Sequence, residues 1–268
     1  MKDPNNYYPN NQYSQQNYYY GGLNTNQKEE WKSANYANDI EMGNSESLST
    51  ETQIRLGFIR KVFGILSIQM LATTFLCILS VSSSAFASFQ KNYPELMIVS
   101  LIISIITIIA ITCFKSVSRN VPTNYIVLAI FTLAEAYVVS AICGMTAPRL
   151  VFMAAAMTCA ITCALTIYAF TTKTDFTVMN SMLFIFSMVM LLFGIFLMFT
   201  KIKILHIIYS CLGVLLYSVY LIYDIQLIMG NKENALDIDD YVYASAMLYL
   251  DVINLFLHIL NLLKQASS

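Results

Sequence analysis

The sequence predicts an all-α membrane protein, a bundle of seven transmembrane helices preceded by a disordered N-terminal tail. Hydrophobic residues make up 57% of the 268 residues and charged residues only 12%, whereas a soluble domain carries roughly 25% charged residues. After the first fifth of the chain, apolar runs of about 20 residues recur, and each is long enough to cross a hydrocarbon core of roughly 30 Å as a helix. Lipid is therefore the solvent of most of this chain.

The first 52 residues differ from the rest in composition. They are rich in Asn, Gln, Tyr, Ser and Gly and contain few clustered aliphatic side chains. Such a segment cannot bury enough apolar area to offset the entropy of ordering it, so we expect a disordered cytosolic tail over residues 1–52 and a transmembrane domain over residues 53–268. The tail also lacks the charged start and apolar core of a signal peptide, so the first span is expected to direct membrane insertion.

Seven apolar segments make up the predicted domain. Pro94, Pro122 and Pro148 each stand just before a segment, where the missing N–H does not disturb a helix, and no proline lies inside one. The seventh segment is the most polar, so a re-entrant hairpin is its alternative structure. The segments cover residues 58–81, 96–114, 125–143, 150–170, 178–199, 204–229 and 241–263.

The charges of the chain bear on its partners and its orientation. The net charge is −1, so the protein presents no basic field that would attract nucleic acid. Basic residues are enriched in cytosolic loops, and their distribution here favours a cytosolic N-terminus, with the C-terminus on the far side after seven spans. The inside set is Arg55, Arg60, Lys61, Lys115, Arg119, Lys173 and Lys232, and the outside set is Lys91, Arg149, Lys201, Lys203 and Lys264.

The cysteines are interpreted as packing residues. They fall inside or at the ends of the predicted spans, away from oxidising solvent, and have no histidine or acidic neighbours at metal-ligand spacing. Cys159 and Cys163 share a helix face, yet small polarizable side chains pack there without a metal. The other cysteines are Cys77, Cys113, Cys143 and Cys211.

Three acidic residues lie inside predicted spans. A carboxylate in hydrocarbon costs several kcal/mol unless it is protonated, paired or hydrated, so such residues are typical of ion or proton paths. Asp224 lies less than two turns before the end of the sixth span, and Asp251 lies about 15 Å after the start of the seventh. Glu135 is about equally deep in the third span. A cytosolic N-terminus places all three in the cytosolic half of the bundle.

Polar residues follow one face of each of the last two spans. Steps of three and four residues keep them on a single helix face, so two facing stripes would form a polar seam. Two nearby carboxylates cannot both ionise at low cost, so the pair would share a proton or bind a cation. The alternative is that these side chains are only interhelical hydrogen-bonding contacts, worth about 0.6–2 kcal/mol each. The stripes are Tyr217, Tyr220 and Asp224 in the sixth span and Asp251, Asn254, His258 and Asn261 in the seventh.

Four segments resemble the Bax inhibitor family. They are RKVFGILSIQM at residues 60–70, NYIVLAIFTLAEAY at 124–137, YD at 223–224 and LYLDVINLF at 248–256. The Glu-Ala-Tyr segment that begins at Glu135 is similar to the Lifeguard branch of this family. The similarity covers roughly residues 51–264, and its most specific part is the Tyr-Asp segment followed at this separation by the Leu-Tyr-Leu-Asp segment.

The resemblance implies a seven-helix fold with a central helix, residence in the endoplasmic reticulum or Golgi, a pH-sensitive calcium leak and restraint of programmed cell death. It maps the two-aspartate pH sensor of the family onto Asp224 and Asp251. It maps the arginine latch onto Arg119, although Ser118 and Asn120 depart from the more basic cluster of the family. The implied partners are the lipid bilayer, calcium ions, protons and other membrane proteins of cell-death or calcium pathways, and no cofactor is implied beyond calcium as the permeant ion.

The predicted function is a proton-modulated, calcium-permeable membrane protein rather than an enzyme, with two alternatives. Intramembrane aspartyl proteases also use two aspartates on adjacent helices, and Tyr223 and Asp224 match their Tyr-Asp segment. Their second aspartate follows a Gly-x-Gly segment, whereas Asp251 follows Leu-Tyr-Leu, and this chain contains no Pro-Ala-Leu segment. The other alternative is a non-conducting membrane scaffold that regulates cell death through protein contacts.

Overall fold

The computed structural model describes residues 25–230, 232 and 234–267, and at residues 27, 28 and 31–49 it describes the backbone alone. The regular elements in these ranges are all helices, which confirms the all-α prediction. They are α1 (Thr25–Ser82), α2 (Ser84–Asn92), α3 (Pro94–Cys113), α4 (Lys115–Arg119), α5 (Thr123–Gly144), α6 (Pro148–Thr171), α7 (Asn180–Leu197), α8 (Lys203–Met229) and α9 (Tyr241–Ser267), with a 3₁₀ turn at Thr177–Met179.

Seven of the described helices are long and apolar enough to cross a membrane, as predicted. They are α1, in which the apolar part is Thr50–Ser82, and α3, α5, α6, α7, α8 and α9. The prolines act as the sequence predicts, because Pro94 and Pro148 open α3 and α6 and Pro122 immediately precedes α5. The short helices α2 and α4 connect the first three spans.

The most polar of the seven spans is also continuous. α9 is one helix of 27 residues, which is about 40 Å long at 1.5 Å per residue. A re-entrant hairpin would require a turn within this segment, and the structure has none there. The polar side chains that suggested a hairpin instead face the protein interior, and Asp251 is among the buried residues of α9.

The predicted disordered tail lies partly outside the described residues, which begin at Thr25. From that residue the backbone is helical, and it continues without a break into the first span. The compact transmembrane unit starts at Arg55, close to the predicted domain start at residue 53. The stretch from Gln27 to Lys32 is rich in Lys, Glu and Gln, which have high helix propensity.

α5 and α9 form the centre of the bundle. In their apolar stretches 61% and 56% of the residues are buried, compared with 11–22% in the other spans. Phe131 of α5 and Tyr249 of α9 are both fully buried, and their rings meet edge to face with centroids 5.7 Å apart. α9 also packs against α6 and α8, and α5 packs against α3. The remaining spans expose rows of large apolar side chains, as lipid-facing helices do.

Candidate functional site

Asp224 and Asp251 meet inside the bundle. Asp224 is 7% exposed and Asp251 is 6% exposed. Their carboxyl groups are close enough to hydrogen-bond to each other, and such a bond requires a proton on one of the two carboxyls. The Oδ2 atom of each is buried and has no hydrogen-bond partner among the described residues. The pair therefore has acceptor capacity that the surrounding described residues do not satisfy.

Pairwise contacts show that α8 and α9 run antiparallel with their polar faces together. Moving away from the aspartate pair, Tyr217 of α8 stacks on His258 of α9 with ring centroids 5.5 Å apart. Still farther along, the Asn261 amide donates to Ser210 Oγ at 2.8 Å. The number in α8 falls as the number in α9 rises, which is the pattern of antiparallel neighbours. The two stripes therefore face each other across the contact between α8 and α9, which we call the seam.

Two members of the predicted stripes do not bond across the seam. Asn254 donates its side-chain amide to Leu250 O of the same helix at 2.8 Å. The Tyr220 hydroxyl lies 2.7 Å from Ser187 Oγ of α7, so its hydrogen bond joins α8 to a neighbouring span. Both residues line the region of the seam, but the amide nitrogen of Asn254 and the hydroxyl of Tyr220 are already engaged elsewhere.

The aspartate pair has aromatic rather than basic surroundings. Tyr217, Tyr220 and Tyr243 are close enough to interact electrostatically with Asp251. Within the described residues, neither aspartate forms an ion pair with a lysine, arginine or histidine. Two carboxylates without a cationic partner cannot both stay ionised in a dry interior, so this arrangement can hold a shared proton or accept a cation.

Arg119 pairs with acidic residues other than Asp224. Its Nε lies 2.7 Å from Asp240 Oδ1 and its Nη2 lies 2.8 Å from Asp240 Oδ2 and 2.7 Å from Asp237 Oδ2. Both aspartates belong to the loop that joins α8 to α9. The guanidinium holds the pKa of the Asp237 carboxyl below its usual range, mainly by hydrogen bonding and then by charge. In this structure the expected latch residue thus secures a loop and does not contact the buried pair.

The α8–α9 loop is fixed by two further basic side chains. α8 ends at Gly230, which adopts the left-handed conformation with φ 69°, a common helix terminator that glycine accommodates without strain. The Arg55 guanidinium packs directly on this glycine and donates to Leu236 O at 2.8 Å. Lys232 Nζ donates to the carbonyls of Thr172 and Lys173 beyond the end of α6. The loop next to the aspartate pair is therefore held by residues from three other segments.

Glu135 lies in a separate polar cluster. Its Oε2 accepts a hydrogen bond from Ser104 Oγ of α3 at 2.5 Å, and the Tyr249 hydroxyl of α9 is close enough to interact with it electrostatically. Tyr249 bonds to Thr73 of α1 at 2.8 Å. Residues 249 and 251 point to opposite sides of α9, because successive residues turn by about 100° around a helix. The structure therefore brings Asp224 and Asp251 together and leaves Glu135 apart from them.

Gln226 is a buried residue of the site region that sequence reasoning missed. It is 0% exposed, and its side chain accepts from Phe176 N at 2.8 Å and donates to Thr174 O at 3.0 Å. It thereby ties α8, two residues after Asp224, to the segment between α6 and α7. The sequence signal that could have identified Gln226 is a side-chain amide within an apolar run. Among the described residues, no group of three or more His, Cys, Asp or Glu side chains could hold a metal ion.

Comparison with known proteins assigns the transmembrane unit to a family. The family described as "Inhibitor of apoptosis-promoting Bax1" matches residues 55–268, the extent of the compact unit that contains both aspartates. The chain belongs to the Bax inhibitor family. Its similarity to proteins of the Lifeguard branch confirms the finer resemblance seen in the sequence.

Two relatives within the Bax inhibitor family illustrate the extent of the match. Protein lifeguard 3 of Homo sapiens is 29% identical over 217 residues, which cover 80% of this chain and 70% of the relative. Protein lifeguard 4 of Mus musculus is 34% identical over 216 residues, which cover 81% of this chain and 88% of the relative. The family likeness thus extends over all seven spans and not only over the aspartate segments.

Proposed function

We propose that this Bax inhibitor family protein is a proton-modulated calcium leak pathway of the endoplasmic reticulum or Golgi and that it restrains programmed cell death. The family description names inhibition of an apoptosis-promoting protein, which supports the cell-death role. The leak role rests on the buried Asp224–Asp251 pair. A cytosolic N-terminus, which the loop charges favour, places this pair near the cytosolic face.

The carboxyl pair supports the leak because its chemistry suits both a proton and a calcium ion. With one proton shared between them, Asp224 and Asp251 carry a single negative charge and hydrogen-bond to each other. Without that proton, two adjacent carboxylates repel each other and offer several oxygens, the ligand type that Ca²⁺ prefers. Proton loss is therefore coupled to a change in how α8 and α9 pack and to cation affinity.

Arg119 enters the proposal as a restraint on the loop above the pair. Its ion pairs with Asp240 and Asp237 hold the α8–α9 loop against α4. For Arg119 to reach an ionised Asp224, these pairs must break and the loop must move. Arg119 would then leave the two loop aspartates and pair with Asp224. The charge of the buried pair would in this way be coupled to the position of the loop at the cytosolic end of the bundle.

The test is calcium flux into liposomes that contain purified protein, measured across about pH 5 to 8, the range in which coupled buried carboxyls titrate. Asp224→Asn and Asp251→Asn keep the volume and much of the hydrogen bonding of the originals, so a purely structural role predicts little change. A proton-sensing role predicts that the pH dependence of flux shifts or disappears in each variant. Because the pair acts as one unit, the double variant should lose little more pH dependence than either single variant.

Glu135→Gln is the matched control for this experiment. It also neutralises a buried intramembrane acid, but one that bonds to Ser104 in a different cluster. A retained pH dependence with a lower total flux would place Glu135 on the ion path and outside the sensor. If both aspartate variants match the unmodified protein at every pH, the sensor proposal fails. If the unmodified protein itself conducts no calcium at any pH, the non-conducting scaffold becomes the better account.

A further inference from the structure

A pair of cysteines lies at the end of the bundle opposite the aspartates. Cys77 is in the last two turns of α1, Cys143 is in the last turn of α5, and their thiol groups are close enough to interact with each other. The start of α5 meets the start of α9 through the hydrogen bond between Asn124 and Tyr241. The end of α5 is therefore far from the aspartates, which lie near the α8–α9 loop. The proposed calcium pathway does not use these two thiols.

The backbones of α1 and α5 approach each other closely at this level. A Cβ added to Gly144 would overlap Ser80 Oγ and would lie 3.6 Å from Ser80 Cβ. Disulfide-bonded residues have Cβ atoms roughly 3.5–4.5 Å apart. Ser80 is one turn beyond Cys77 on the same helix face, and Gly144 directly follows Cys143. The two helices are thus at disulfide spacing beside the thiols.

A polar brace keeps the two helices in this register. Ser80 Oγ donates to Gln90 Oε1 at 2.5 Å, and Gln90 Nε2 donates to Ser140 Oγ at 2.9 Å. All three residues are buried. Ser80 and Ser140 each lie about one turn from a cysteine on their own helix, so the brace and the thiols share one contact surface. Rotation of α1 against α5, which would separate the sulfurs, would break the brace.

The two thiols differ in accessibility. Cys77 is partly exposed, whereas Cys143 is fully buried. A cavity of about 480 Å³ opens at the same end between α2, α3 and α5, and Gln90, Ala141 and Gly144 are among its lining residues. This cavity reaches the residues on both sides of Cys143 in the last turn of α5. A small polar reagent can therefore approach this end of the bundle.

We propose that Cys77 and Cys143 form a redox-active dithiol that is oxidised to a disulfide bridge between α1 and α5. The oxidant is a small disulfide of the glutathione class. The more exposed Cys77 sulfur loses its proton and attacks this disulfide, which forms a mixed disulfide and releases one glutathione thiol. The Cys143 sulfur then loses its proton and attacks Cys77 Sγ, which closes the bridge and releases the second glutathione thiol. Two electrons and two protons thus pass from the protein to the oxidant.

The bridge restrains the first span against the third. It would tie α1, whose outer face meets lipid, to the central helix α5. This restraint does not depend on calcium conduction, so the redox proposal and the proposed leak can fail separately. The remaining cysteines, Cys113, Cys159, Cys163 and Cys211, are all exposed and provide internal references for nonspecific oxidation.

The test uses the purified full chain equilibrated in buffers with increasing ratios of glutathione disulfide to glutathione. After the free thiols are blocked with a maleimide, mass spectrometry of a proteolytic digest should find a linked peptide pair that contains Cys77 and Cys143. Without the maleimide treatment, the intact oxidised protein should be lighter than the reduced protein by two hydrogen atoms. Dithiothreitol should restore the mass of the reduced protein. Cys113 and Cys211 should carry the maleimide under every condition. The oxidised protein should also unfold at a higher temperature than the reduced protein.

The order of attack gives the two single variants different outcomes. In Cys143→Ser, Cys77 should accumulate as a stable mixed disulfide with glutathione, because no second thiol resolves it. In Cys77→Ser, the buried Cys143 should gain little glutathione. Absence of the linked peptide at the highest oxidant ratio would overturn the proposal, as would equal linkage to Cys113 or Cys211. Because the linked peptide is measured on the unmodified protein, a variant that fails to fold does not weaken the test.

Discussion

At the scale of single residues, His258 depends on the absence of a side chain at Gly213. A Cβ at position 213 would overlap the imidazole ring. The ring cannot easily move aside, because Tyr209 and Tyr217 pack against it with centroids 5.2 and 5.5 Å away. We expect Gly213→Ala to lower the free energy of unfolding by about 1–3 kcal/mol, as overpacking does in a well-filled core. The free energy of unfolding is measured on the purified protein in mixed micelles.

Two further variants make that prediction specific. Gly64 is also in a helix but has nothing within 4 Å of an added Cβ, so Gly64→Ala should be neutral or stabilising by up to about 1 kcal/mol. Combining Gly213→Ala with His258→Ala should recover part of the lost stability, because the clash partner is gone. Equal destabilisation by both glycine variants would contradict the packing account.

A second prediction concerns the titration of Asp237, which pairs with Arg119. The guanidinium lowers the pKa of that carboxyl, so Arg119→Gln should raise it toward the ordinary value of about 3.9. A lowered folded pKa contributes stability that is complete above the unfolded pKa and is lost as pH falls through the folded pKa. Asp237 is 67% exposed, so solvent screens the pair and the stability change should be small. Carboxyl NMR of aspartate-labelled protein reads the titration directly, and an unchanged Asp237 midpoint would refute the assignment.

The residue scale also shows what spacing can and cannot predict. The meeting of Asp224 and Asp251 was predictable, because steps of three and four along two consecutive helices define the faces that meet. The partners of Arg119 were not, because a loop carries no periodicity from which its path over the bundle can be read. Glu135 has the same depth as Asp251, yet depth along a helix says nothing about the side of the core on which a residue lies.

At the scale of elements, the continuity of α9 predicts where its end lies. With a cytosolic N-terminus and seven crossings, a glycosylation acceptor sequence appended after residue 268 is expected to reach the lumen and be modified in microsomes. A matching acceptor placed in the loop after Ser82 is the positive control. A modified control together with an unmodified C-terminal tag would mean that the protein has an even number of crossings.

The N-terminal segment gives another prediction at this scale. The compact transmembrane unit begins at Arg55, so deletion of residues 1–52 should leave the thermal unfolding and calcium flux of the purified protein nearly unchanged. Arg55 itself must stay, because its guanidinium holds Leu236 O in the α8–α9 loop. A well-folded truncated protein with strongly reduced flux would show that the segment acts on the bundle.

The elements themselves were largely predictable from sequence. A span is a local property, since length and apolar composition alone decide whether a segment suits a bilayer. The short helices α2 and α4 escaped prediction, because each contributes few residues and no long apolar run. The disorder expected over residues 1–52 stays a prediction, because residues 1–24 lie outside the described part of the chain.

At the scale of the whole molecule, apolarity does not reveal which spans are central. α5 and α6 have the same mean hydropathy of 2.2, yet 61% of the α5 stretch is buried and 17% of the α6 stretch. Lipid tails and a protein interior are about equally apolar, so no difference in composition between these helices is required. What distinguishes the centre is packing against several neighbours, and that arrangement becomes visible only in three dimensions.

The central position of α9 has a consequence for biogenesis. Its mean hydropathy of 1.7 is the lowest of the seven spans, and an aspartate near the middle of a helix opposes release from the translocon into lipid by roughly 2.5–3.5 kcal/mol. α9 also leaves the ribosome after the other six spans. The polar face of α9 can therefore pack only against helices that are already in the membrane. The main one is α8, whose Asp224 meets Asp251. Membrane integration of the last span and completion of the core are thus a single step in the maturation of this protein.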